Sequence, residues 1–208
     1  MAAPTWASLG AIQQFIRSKS SWILNKTRIA REDQQFIAQK KFDEGGIFLF
    51  LGKKYPINLT KGSRLQSSIS FNDSAWQVYL GAGISQERRQ SEVRKLMVQW
   101  YREQAIELLG GRVYHYARIM GLQPPEIFIR SQKSRWGSCH YHQRKIYLNW
   151  QLIMTPLNVI DYVVVHELSH LKVPDHSKRF WKNVEKFLTD YKIRRRWLKD
   201  NDRDIVLP

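Results

Sequence analysis

His166, Glu167 and His170 stand together in the run HELSH. On a helix, positions i and i+4 lie on one face, so both imidazoles can ligate a single ion. Glu167 sits about 100° further round. It is poorly aimed for the same ion but can reach a water beside it. Zinc hydrolases use this arrangement: the ion lowers the pKa of water, the carboxylate takes the proton, and hydroxide attacks a polarised carbonyl or phosphoryl group. A hydrogen-bonded His pair on a half-exposed helix is the plainer alternative. It fits less well, because the surrounding segment is apolar and burying two His and a Glu without a partner is costly.

The helix is predicted over 156–172, with Thr155 as N-cap and Pro156 in the first turn. Val159, Ile160, Val163, Val164, Leu168 and Leu171 spread over most of its girth, so it should be buried rather than lie on the surface. Val173–Pro174 stops it. Asp175 can cap a following helix over roughly 176–191.

A catalytic zinc takes three protein ligands and keeps one position open. His176 is the leading third ligand, since the Pro-induced turn can fold the chain back over the site. Glu185 is a rival, but it lies about 180° round the same helix from His176. Asp190 is a weaker one. His115, His140 and His142 lack ligand spacing.

Just upstream lies Ser134–Arg135–Trp136–Gly137–Ser138–Cys139, between two strand-like segments. Arg135, Trp136 and Ser138 are candidates for holding an extended substrate beside the ion, and Gly137 would permit close backbone approach. Arg135 can also hold an anionic group or an oxyanion. Equally, Trp136 can fill the core and Gly137 make a turn. Cys139 has no local partner for nucleophilic chemistry.

Charge supplies a second line of argument. Lys and Arg number 34 against 18 Asp and Glu, a net +16. Residues 122–151 carry five basic and one acidic, and 172–196 carry nine basic and three acidic. The segment between them, 152–171, holds two acids and no base. Lys178, Arg179, Lys182 and Lys186 form one stripe, and Arg194, Arg195 and Arg196 precede Trp197. Lys178, Lys182 and Arg195 are therefore candidates for an anionic partner: a nucleotide, or a nucleic acid backbone. A solvated basic surface is the bland alternative.

These residues need a scaffold. With 208 residues, 43% of them hydrophobic, the chain can bury a real core. An α+β class is expected, divided into an N-terminal strand-rich lobe with a leading helix (1–82) and a hydrolase domain (83–208). A helical pattern covers 8–31. Strands are expected within 45–62 with a turn at Gly52–Lys54, and one or two more within 67–80. A long helix over 85–120 carries a break at Gly110–Gly111 and ends at Gln123–Pro124–Pro125. Ile127–Ile129 and Lys145–Trp150 are further strands. No apolar run approaches the ~20 residues of a membrane span, and the first residues lack a secretory pattern. One cysteine excludes an internal disulfide, so the cytoplasm is the default expectation.

The stretch Arg130 to Trp181, with SRWGSC, IYLNWQLI and VVVHELSHLKVPDHSKRFW, closely resembles the YgjP-like metallopeptidase family, relatives of the SprT-like and WLM zinc peptidases. GIFLFLGKKYPINL is similar to that family's N-terminal strand lobe. The resemblance implies a small zincin-like fold, with an active-site helix, a short sheet beside it, and a second helix after the third ligand. It implies zinc held by His166, His170 and His176, Glu167 as the catalytic acid/base, and a protein or peptide substrate. In the broader zinc-peptidase pattern a Gly separates the second and third His. Here Val173–Pro174 takes that place, so the turn needs another backbone geometry. Two alternatives keep the same residues: a nucleoside triphosphate phosphohydrolase, and a non-enzymatic nucleic-acid binder with a structural zinc. The absence of a Walker-type glycine loop leaves a nucleotide activity resting on the metal and the basic flanks.

Overall fold

A computed structural model of the chain describes residues 7–38, 40–62, 65–132, 135–205 and 207, without the side chains of 29, 30 and 33–38. Ser134 and the first six residues, on which part of the reading above falls, lie outside these. Contacts divide the chain into two compact units that meet at residue 40. The first holds α1 (Leu9–Ser18) and α2 (Ser20–Ala38). The Ser8 hydroxyl caps α1 by accepting the Ala11 N–H at 3.2 Å.

The second unit, 40–207, carries the chemistry. Its first sheet contains β1 (Ile47–Phe50), β2 (Lys53–Lys61), β3 (Ser68–Phe71) and β4 (Trp76–Leu80), in the order β1-β2-β4-β3. Leu51 and Gly52 join β1 to β2 with φ of 49° and 79°, the doubly left-handed turn that suits a two-residue hairpin. Glycine is also needed there for space. A Cβ on Gly52 would lie 2.6 Å from the Pro156 ring. Leu51 and Gly52 donate their N–H groups to Ile153 and Met154, so the hairpin tip grips the segment leading into the HELSH helix.

Next comes α3 (Gln86–Ile119), whose buried side chains Val93, Met97, Trp100, Tyr101, Ala105, Leu109, Val113, Tyr116 and Ala117 recur at three- and four-residue spacing. Trp76 is fully buried and its ring meets Trp100 and Tyr101 edge-on. The strands of 47–80 thus share one core with α3. No break occurs at Gly110–Gly111. Two helical glycines cost about 1 kcal/mol each, and the buried face running from Leu109 to Ala117 outweighs that. Nor do the prolines end α3. Gly121, at φ 62°, donates to Arg118 O while Leu122 donates to Ala117 O, a Schellman stop that precedes them.

The second sheet holds β5 (Glu126–Arg130), β6 (Gly137–His140) and β7 (Lys145–Asn149), in the order β5-β7-β6. β6 runs antiparallel to β7 and, among the described residues, is an edge strand whose other side is unpaired. Against β6 and α3 packs α4 (Leu157–His170), followed by α5 (Lys178–Phe187) and α6 (Tyr191–Asp200). α4 is buried through 159–165 and 167–169, as its apolar girth requires. Thr155 does not cap it: the Thr155 hydroxyl is buried and donates to Leu152 O at 2.9 Å. Asp175 stands outside α5 and accepts the Ser177 N–H. The fold is α+β, and among the described residues no helix is long and apolar enough to cross a membrane.

Candidate metal centre

His166 and His170 lie one turn apart on α4. Their Nε2 atoms are 3.3 Å apart, and His176 Nε2 is 3.1 Å from that of His166. Two nitrogens bound tetrahedrally at ~2.05 Å from one ion lie about 3.3 Å apart. Two of the three pairs match that spacing, and the nitrogens of all three imidazoles lie within 4.8 Å of one another. Among the described residues they are the group of His, Cys, Asp or Glu side chains so placed.

Each ring is prepared for the task. The His170 Nδ1–H donates to Val173 O at 3.2 Å, which leaves the lone pair on Nε2. Burial, then the neighbouring imidazoles, push His166 down to about 3, and burial lowers His170 as well. Both shifts favour the neutral form that metal ligation requires. The turn to His176 uses no glycine. Buried Val173 plugs it into the core while Pro174 stays exposed. Phe180 stacks on His170 at 4.5 Å, and Trp181 lies parallel to exposed His176 at 5.8 Å. Tyr191 also stacks on Trp181 at 5.3 Å, and the Arg195 guanidinium lies 4.9 Å from its ring centre.

Glu167 points elsewhere, as its position on the helix requires. It is 5% exposed, and it borders a cleft of about 240 Å³ shared with His166, Tyr162, Arg135, Trp136 and Leu198. Burial pushes its carboxyl up to about 8, partly opposed by the Arg135 charge. Tyr162 precedes His166 by one turn, and burial drives its phenol to about 12. Nothing in the sequence argument singled Tyr162 out. Its signal was a hydroxyl four residues before His166, on an otherwise apolar stripe.

The other expected residues separate into two groups. Arg135 and Trp136 line the cleft. Arg195 is exposed on α6, and its charge is felt at both His166 and Tyr162. By contrast, Ser138 pairs across the sheet with Tyr147 and does not line the cleft. Lys178 and Lys182 are exposed on α5, outside the cleft. Glu185 is exposed on α5, and Asp190 lies 2.8 Å from Arg194; neither joins the imidazoles.

With this geometry in place, comparison with known proteins is informative. The family described as YgjP-like, metallopeptidase domain, matches residues 1–201. The chain belongs to the YgjP-like family. As a YgjP-like protein it falls among metal-dependent peptidases. Two solved structures similar to this YgjP-like chain are metallopeptidase zymogens. Abylysin of Pyrococcus abyssi is 28% identical over 47% of this chain and 99% of its own, with a TM-score of 0.41. Jannalysin of Methanocaldococcus jannaschii is 17% identical over 46% of this chain and 95% of its own, with a TM-score of 0.40. No curated protein sequence matches the YgjP-like chain.

Proposed function

We propose that the chain is a zinc-dependent peptidase in which His166, His170 and His176 hold the ion and Glu167 is the proton acceptor. The observation that carries this reading is the convergence of three Nε2 atoms at 3.1 and 3.3 Å. A set of three imidazoles suits zinc and leaves a fourth position for water or substrate. When bound, zinc supplies a Lewis acid that polarises a carbonyl and acidifies water.

The chain's own residues do the rest. Glu167 borders the same cleft as His166, and a cation held there would lower its raised carboxyl, so that the carboxylate can take a proton from water and return it to the leaving amine. Arg135 and the Tyr162 hydroxyl, also at that cleft, are donors for the developing oxyanion. The open side of β6 can pair with an extended peptide, with Trp136 beside it. The positive charges of Arg135 and Arg195 favour a substrate with an anionic group. Lys178 and Lys182, exposed on α5, extend that preference to a nucleic acid close to the substrate. The working compartment is the cytoplasm, where the single thiol stays reduced.

Arg135 in the cleft also favours a second reading, a nucleoside triphosphate phosphohydrolase using the same centre. Zinc-loaded protein assayed against casein and a nucleotide panel, with Glu167→Gln as control, separates the two. Casein hydrolysis that disappears in Glu167→Gln is the expected result. Hydrolysis of nucleotides alone would transfer the site to the second reading. Inertness toward both would leave a zinc-containing nucleic-acid binder.

A further inference from the structure

We infer that Gly137 is a positioning residue for Glu167: its bare α-carbon sets where the carboxylate stands. The inference rests on the reading of Glu167 as proton acceptor. A Cβ built on Gly137 would lie 2.7 Å from Glu167 Oε1, 2.8 Å from Cγ and 2.9 Å from Cδ. Contacts that short do not persist, so a methyl group there must displace something.

The side that yields is the Glu167 side chain, toward the cleft it borders. Glu167 is 5% exposed and packed inside the protein. The backbone opposite is pinned. Trp136 O accepts the Asn149 N–H at 2.9 Å, and the Asn149 side-chain amide donates to Gln132 O at 2.9 Å. Asn149 itself is 2% exposed. Gly137 is also paired with Leu148 in the β6–β7 ladder.

Backbone conformation does not call for glycine at this position. Gly45, Gly52 and Gly121 are the glycines with positive φ among the described residues, and Gly137 is not among them. An alanine could adopt the same strand geometry, and glycine weakens a strand. The open α-carbon is accounted for by the one side chain it touches. The close approach that a glycine before HELSH permits is therefore made from within, by the carboxylate of Glu167.

Gly137→Ala tests this, together with Glu167→Asp and the double variant. Displacing a reacting group by around an ångström costs about a hundredfold in rate. The expected result for Gly137→Ala is a kcat lower by about that factor, with KM and zinc content unchanged. Glu167→Asp withdraws one methylene, so adding Gly137→Ala to it should cost far less. A second readout needs neither metal nor turnover. In metal-free protein, Gly137→Ala should lower the melting temperature more in the Glu167 background than in the Asp background. If Gly137→Ala alone does not fold, the double variant must fold; an equally unfolded double variant overturns the inference. So does a wild-type kcat in Gly137→Ala when Glu167→Gln is inactive, or an equal melting shift in both backgrounds. Normal turnover in Glu167→Gln instead sinks the parent reading, and this role with it.

Discussion

Arg112 and Asp161 form a two-pronged ion pair that fastens α3 to α4, the helix of His166 and His170. Nε and Nη2 of Arg112 donate to the two carboxylate oxygens of Asp161 at 2.6 and 2.8 Å, and the Tyr116 hydroxyl donates to the same carboxylate at 3.1 Å. Asp161 is 7% exposed. Replacing Arg112 by Met leaves that carboxylate without its cation, at a cost of ~3 kcal/mol. Urea unfolding should show this loss, and Arg112→Met with Asp161→Leu should recover most of it.

Trp181 bears on His176, the proposed third ligand. His176 is exposed, and the parallel indole, itself stacked with Tyr191, restricts where its ring can stand. Supporting contacts of this kind are worth about 10- to 100-fold in metal affinity. Trp181→Ala should weaken zinc binding by that order in a chelator competition and leave the helix content of the protein unchanged.

Cys139 should be inert. Burial first, and then the Glu167 charge, push its thiol up to about 12. Iodoacetamide at pH 8 should label unfolded protein and leave the folded chain unmodified. The sign of the linked stability follows. The folded thiol holds its proton above pH ~8.5, where the unfolded thiol loses it. This group therefore lowers stability as pH rises from there toward 12.

The basic surface separates two kinds of anion. Lys178, Lys182 and Lys186 are exposed on α5, whereas Arg135 lines the cleft. Nucleic acid binding should fall steeply between low and moderate salt. Charge reversal at the three lysines should weaken it without changing zinc content. Arg135→Ala should cost turnover more than Arg195→Ala if the anionic group belongs to the substrate. Binding that is weak at low salt and indifferent to every one of these changes would reduce the +16 to a solubility feature.

Much of this molecule was legible from periodicity. The apolar girth of 156–172 announced a buried helix, and α4 is buried as that pattern required. The strand patterns within 45–62 and 67–80, and the alternation of 145–150, announced strands where β1 to β4 and β7 lie. Punctuation was read less well. Gly110–Gly111 suggested a break, yet local propensity yielded to the core contacts on both sides. The prolines at 124–125 drew attention from Gly121, whose positive φ ends α3 earlier. Thr155 had the right type for a cap, but its buried hydroxyl was claimed by a nearer carbonyl. At the site, spacing along one helix brought out His166 and His170. The approach of His176 depended on a turn built from Val173 and Pro174, for which the sequence offers no periodic signal. The cleft depended on tertiary contacts from 135–137, Tyr162 and Leu198, and no local pattern encodes those.

The metal content of purified protein tests the central claim most directly. Mass spectrometry of wild type, His166→Ala and Glu167→Gln, each prepared without chelator, should find one zinc per chain in the first and third and none in the second. Wild-type protein without a stoichiometric transition metal, or a His166→Ala variant that retains it, would contradict the account.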